Sequence, residues 1–367
     1  IHLEGLSDCD DTQAIRQGLE ALRNSEDTPL RVDIGAAGTA MRFLTALFAA
    51  TPQLDVLITG SQRMKERPIG ALVTALQAAG ADISYVEKEG YPPLRIRGKQ
   101  LEGGSLALPS NISSQYVSAL LMIATTMRDG LHLELVGKVA SAPYIHMTMQ
   151  VMKAFGVEAK WENNLISIES GQRYSRSLSP RCGTTEETEQ AASYTIESDW
   201  SAASYWYEMV ALARDTTATV ELLGLTPDSL QGDAAIAALF ERLGVRTTFT
   251  DRGLRLDRLL GHRLPERFTC DCVLIPDMAQ TLVVTCAALG LPFLGATRLA
   301  DVGRGHFARL RDRLRVGDED VLDVVDETCE RFHGLWADGA ADRMPPPVAG
   351  WIGAHLEDTL SRLRGES

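Results

Sequence analysis

The residues best able to hold an anion lie in one short run. Arg63-Met64-Lys65-Glu66-Arg67-Pro68 sets three cations within five residues, with Pro68 near the first turn of a following helix. A guanidinium offers a planar fork that grips a carboxylate or phosphate through two parallel N–H bonds. A solvated surface run would use the same letters. Upstream, Gly35-Ala36-Ala37-Gly38-Thr39 leads directly into a helix whose first turns carry Arg42. Small residues there let an anion approach backbone N–H groups, and Thr39 can cap the helix. No Gly-Lys-Ser/Thr follows, so this is not a Walker loop, and a tight loop-to-helix turn explains the segment equally well.

Hydroxyl and carboxyl groups recur at other helix starts. Ser113, Ser114 and Gln115 open an apolar helix with more polar groups than one N-cap needs. They can donate to a phosphate and to a sugar-like hydroxyl. Ser141 and Tyr144 offer a pair of hydroxyls ahead of another helix, or form a plain turn with a core tyrosine. Asp277 follows Ile275-Pro276, where it serves as a cap or, aimed into an anion site, as a general base. Gly303-Arg304-Gly305-His306-Phe307-Ala308 satisfies a dinucleotide pattern by letters but lacks a preceding strand, so it is set aside. There is no GxSxG, HExxH or EF-hand loop, and none of the seven histidines has a partner by spacing. The six cysteines contain no CxxC pair. Cys270 and Cys272 alternate along a strand-like run without a histidine at zinc spacing. They read as free thiols in a reducing cytosol.

The elements that must position these residues repeat along the chain. Residues 54–97 read as strand, loop, helix, strand, strand, and the order returns at 131–168 and at 218–257. In the first helix Ile69, Leu72, Leu76 and Ala79 fall at helical spacing, and Gly80, Gly156 and Gly244 stop the three helices as left-handed C-caps. A second, strongly apolar helix precedes each repeat, starting near Gly38, Ser113, Trp200 and Asp277. Such helices belong in the centre of a domain. With a leading strand the unit is βαβαββ. Helices placed alike in repeated units point the same way, so their N–H groups and dipoles converge on a common anion site.

A length of 367 residues exceeds one ordinary core and suits two domains. A net charge of −13 repels polyanions, so nucleic acid is excluded as a partner, and only a local cation cluster can recruit a small anion. No run of eighteen apolar residues suggests a membrane span, and the first residues carry no signal-peptide pattern. A cytoplasmic monomer without membrane partners is expected.

Seven ordered segments, GAAGTAMRF, SQRMKERPIG, NISSQYVSALLM, SAPYIHMTMQVMKAFGV, ESDWSAASYW, SLQGD and IPDMAQT, resemble the 5-enolpyruvylshikimate-3-phosphate synthase family over residues 1–295. The resemblance implies an α/β fold of α+β repeats: two domains of βαβαββ units forming an inverse α/β barrel-like architecture. On that pattern residues 1–190 form a substrate-binding domain, residues 191–298 a partial second domain, and residues 299–367 a helical tail. It also implies transfer of the enolpyruvyl group of phosphoenolpyruvate to the 5-hydroxyl of shikimate 3-phosphate, releasing phosphate with no metal or organic cofactor. By the same resemblance Gly38, Arg63 and Gln115 contact phosphoenolpyruvate, and Arg67 supports that charge cluster. Ser113, Ser114, Gln115, Ser141 and Asp277 are the expected ligands of shikimate 3-phosphate, with Tyr144 beside them and Asp277 as proton acceptor.

The chain departs from the family pattern at both ends. It starts after the family's Lys-Ser…Arg segment. Beyond residue 295 it reads ATRLADVGRGHFARL where the family has Arg-x-Lys-Glu-Thr-Asp-Arg. A second reading is therefore a truncated or chimeric, non-catalytic chain that still binds a phosphorylated ligand. A sister transferase acting on a UDP-amino sugar fits RMKERPIG and SSQ less well.

Overall fold

The computed structural model describes residues 2–24, 28–109, 113–137, 139, 141–175, 193–213, 215, 217–291 and a discontinuous set between 303 and 365. Cys182, the proposed boundary near 190 and most of the HFARLRDRL segment lie outside the described residues.

The chain opens with β1 (His2–Glu4) and α1 (Asp10–Asn24). The first unit follows: β2 (Leu30–Asp33), α2 (Gly38–Ala49), β3 (Asp55–Thr59), α3 (Gln62–Lys65), α4 (Gly70–Ala78), β4 (Asp82–Tyr85) and β5 (Leu94–Arg97). The second runs β6 (Gly104–Pro109), α5 (Ser114–Ile123), β7 (Leu131–Val136), α6 (Ala142–Ala154), β8 (Lys160–Glu162) and β9 (Leu165–Ile168). Then come β10 (Ser193–Thr195), α7 (Trp200–Leu212), β11 (Thr219–Leu223), a 3-10 turn (Gly232–Ala235) leading α8 (Ile236–Glu241), β12 (Val245–Thr250) and β13 (Gly253–Arg258). A 3-10 turn (Pro276–Met278) introduces α9 (Ala279–Ala288), and α10 spans Leu322–Ala337.

The sheets confirm the repeat. The first is ordered β2-β3-β5-β4 and the second β6-β7-β9-β8, each with its leading pair parallel and the other pairs antiparallel. A parallel leading pair requires a crossover, which α2 and α5 supply. The third sheet, β11-β13-β12, repeats the last three strands of the same unit. Gly80, Gly156 and Gly244 all have positive φ, as their C-capping role requires.

Period-two alternation buries one sheet face. Leu30, Val32, Val56, Ile58, Leu94 and Ile96 point into the core while Arg31 and Arg97 stay out. Eight of the twelve residues of α2 and seven of the ten of α5 are buried, which makes these the central helices. Two separate apolar cores result. One is built on residues from Ala14 to Ile168, the other on residues from Trp200 to Leu291, with Trp200, Tyr207 and Phe240 fully enclosed. β1 and β10 pair in parallel where the chain passes between the two cores.

Several local expectations are corrected. Pro68 precedes α4 by two residues, because Ile69 occupies the N-cap. Cys270 and Cys272 lie in irregular loop rather than strand, and burial pushes the Cys272 thiol up to about 11. Cys9, Cys270, Cys272, Cys286 and Cys329 are free thiols. In the tail, α10 and the described residues among 350–364 are helical.

Candidate functional site

The helix N-termini converge. In the first turn of α2, Thr39 Oγ1 accepts a hydrogen bond from Gln115 Nε2 at 3.1 Å, in the first turn of α5. One turn further on, Ser118 of α5 meets Thr148 of α6 at 2.7 Å, so α2, α5 and α6 pack in series. In the other unit Ser204 of α7 meets Thr281 of α9 at 2.9 Å, again near both N-termini. The two sets face each other across Tyr144. Its phenol at the start of α6 lies 2.9 Å from Asp233 and 2.8 Å from Asp277, at the helix starts of the opposite unit. Helix starts of both units, with their partial positive charge, thereby meet around Tyr144.

On the α2 side the site is built on Gly38. A Cβ there would collide with Arg67 Nη1 and lie 3.0 Å from Arg42 Nη1, so glycine is what lets two guanidinium groups close over the helix start. Arg42 Nη1 also donates to Gln115 Oε1 at 2.6 Å, and its guanidinium lies over the Tyr116 ring. The Tyr116 hydroxyl donates to Pro68 O at 2.7 Å, which ties α5 to the arginine segment. Burial first, then the like charges of Arg42 and Arg63, draw Arg67 below the ordinary arginine value. Three cations thus crowd one spot, and an arriving anion relieves their repulsion. Lys65 is not among them, because it pairs with Glu87 at 2.7 Å.

Asp11 was missed by sequence reasoning. Its Oδ1 accepts from Thr39 N at 2.9 Å and Ala40 N at 3.1 Å, so the cap of α2 comes from a carboxylate 28 residues away rather than from Thr39. Helix α1 delivers it. Ala14 and Gly18 share its face at i+3 and i+7, and Gly18 sits so close to Leu44 that a Cβ would meet Cδ1 at 2.7 Å. A glycine inside an amphipathic helix was the available signal.

Ser113 caps α5, with its Oγ accepting from Gln115 N at 3.3 Å, and Ser114 is the first residue of that helix. Ser141 occupies the N-cap of α6 in a left-handed conformation, and its N–H donates to Val273 O at 3.3 Å. The structure therefore gathers Gly38, Arg63, Arg67 and Gln115 on one side, and Ser141, Tyr144 and Asp277 on the other. Among the described residues no group of three or more His, Cys, Asp or Glu could hold a metal ion, and no helix is long and apolar enough to cross a membrane.

A family model described as EPSP synthase (3-phosphoshikimate 1-carboxyvinyltransferase) matches residues 5–304. The chain belongs to that family. Two curated Bacteroides fragilis proteins named 3-phosphoshikimate 1-carboxyvinyltransferase are each 47% identical to it, over 291 and 288 residues. This chain spans 65% and 64% of their lengths, and 79% and 78% of its own residues are covered. A protein of the same name from Sulfurovum sp. is 39% identical over 258 residues, covering 70% of this chain and 55% of that protein. A solved EPSP synthase from Acinetobacter baumannii aligns with a TM-score of 0.58 at 20% identity, covering 86% of this chain and 72% of that one. At that identity the likeness speaks for the fold, and the fold is the two-domain α/β arrangement of EPSP synthases.

Proposed function

We propose that this chain carries the substrate site of a 3-phosphoshikimate 1-carboxyvinyltransferase. In this reading shikimate 3-phosphate and phosphoenolpyruvate meet in the cleft, and the enolpyruvyl group passes to the 5-hydroxyl with release of phosphate. The observation that carries it is the facing of two sets of helix N-termini, with crowded arginines at one end and an exposed aspartate at the other. Two substrates that both bear phosphate and carboxylate need such a field, since their mutual repulsion must be offset before reaction.

Gly38, Arg63 and Gln115 are proposed to hold phosphoenolpyruvate, with Arg67 supporting the charge cluster; Arg67 and Arg42, whose guanidinium groups close over Gly38, add to that cluster. Ser113, Ser114, Gln115, Ser141 and Tyr144 are proposed to hold shikimate 3-phosphate. Asp277 then accepts the proton of the attacking hydroxyl, and no metal or organic cofactor takes part. The reading extends to a cytoplasmic monomer with the domain division near residues 190 and 298.

A coupled phosphate-release assay with both substrates tests this. Turnover above background that Asp277→Asn removes supports the transferase. Saturable binding of shikimate 3-phosphate without turnover would instead favour a chain that binds but does not catalyse.

A further inference from the structure

The Tyr144 hydroxyl lies within hydrogen-bond distance of two carboxylate oxygens, Asp233 Oδ2 and Asp277 Oδ2. A phenol has one hydrogen and donates to one acceptor. Either the phenol hydrogen is shared between both oxygens, or a second proton sits on one of the carboxyls and completes the other bond.

The second proton has one suitable home. Asp233 is 2% exposed, and its Oδ1 is buried with no hydrogen-bond partner. Asp277, by contrast, is exposed to solvent. The groups that face Asp233 are Tyr144 from α6, Ser201 and the capping Asp199 from α7, and Asp277 from the turn before α9. The charges among them are negative, and no cation is in that set. Burial first, joined by repulsion from Asp277 and Asp199, raises Asp233 above the ordinary aspartate value. The Ser201 hydroxyl, donating to Oδ2 at 2.8 Å, and the Tyr144 hydroxyl at 2.9 Å oppose this only in part.

We propose that Asp233 is a positioning residue that stays protonated at neutral pH and donates to the Tyr144 oxygen. The phenol hydrogen is then directed onto Asp277, the other carboxyl in contact with it. The link to catalysis rests on the proposed role of Asp277 as base. An ionised Asp233 would compete for the phenol hydrogen and turn Tyr144 away from Asp277.

Infrared difference spectroscopy on the ligand-free chain tests the proton directly. At neutral pH a protonated-carboxyl C=O band is expected in wild type and in Asp277→Asn, and its loss is expected in Asp233→Asn. No difference band between wild type and Asp233→Asn, or a band lost only in Asp277→Asn, overturns the assignment. Calorimetry with shikimate 3-phosphate across pH then tests the positioning role. Affinity should fall as Asp233 ionises at rising pH, and Asp233→Asn, whose amide can still donate to Tyr144, should abolish that fall while keeping affinity. A fall unchanged in Asp233→Asn overturns the role. Absence of any binding heat, with the infrared band intact, would instead count against the substrate reading.

Discussion

Replacing Gly38 by alanine separates the anion site from the fold. Gly38 is the first residue of α2 and has no positive φ, so its backbone accepts a side chain without strain. Alanine there favours helix over glycine by up to about 1 kcal/mol. Against this, the new Cβ collides with Arg67 Nη1 and meets Arg42 Nη1 at 3.0 Å. Both are far ends of flexible side chains, so the guanidinium groups swing aside rather than strain the core. Folding stability should stay within about 1 kcal/mol of wild type. The anion site loses more, because displacing one charge-assisted hydrogen bond costs about 1.5–3 kcal/mol. Phosphoenolpyruvate affinity, measured calorimetrically in the presence of shikimate 3-phosphate, should fall by about tenfold to about a hundredfold. Thermal melting of the same sample supplies the control. Unchanged affinity in a variant that melts like wild type would refute the assignment of Gly38 and Arg67 to the anion site.

Other outcomes follow from the same geometry. Glu197 accepts from Trp200 Nε1, Thr226 N and Oγ1, Ser229 Oγ and Gln231 Nε2, and so anchors the start of α7. Glu197→Gln faces a donor toward donors and should cost about 3 kcal/mol in urea denaturation, whereas a loss below about 1 kcal/mol would contradict the hub. Asp11→Ala removes the cap of α2 and should lower stability by about 1 kcal/mol, with Asp11→Asn keeping part of it. A raised native value at Asp233 means that its contribution to stability is fully present below the unfolded aspartate value and is lost as pH rises through the native one. Asp233→Asn should therefore gain on wild type as pH rises above the ordinary aspartate value of about 4, and parallel melting curves would show otherwise.

Much of the fold is legible because repetition multiplies a weak signal. One strand-helix-strand-strand pattern is ambiguous, but three copies closed by Gly80, Gly156 and Gly244 leave little choice, and the sheets repeat with one strand order. The apolar character of α2 and α5 places them centrally for the same physical reason that buries them. Within the site, Gly38, Gln115, Tyr144 and Asp277 stand out because polar or glycine residues begin apolar helices. The distance between local and tertiary information explains what was missed. Lys65 belongs to the RMKERP run, yet its partner Glu87 comes from another turn, while Arg42 joins the arginines from a different helix. Asp11 reaches α2 only through the packing of Gly18 on Leu44, and Asp233 gains its meaning only when Tyr144 arrives from the opposite unit. Residue spacing within one element carries no record of such meetings.

If the facing helix ends form one site for a phosphorylated ligand, calorimetric titration of the chain with shikimate 3-phosphate will give saturable heat in wild type, weakened by Ser114→Ala and by Tyr144→Phe in variants that melt as wild type does. A folded chain that gives no heat with either shikimate 3-phosphate or phosphoenolpyruvate would contradict it.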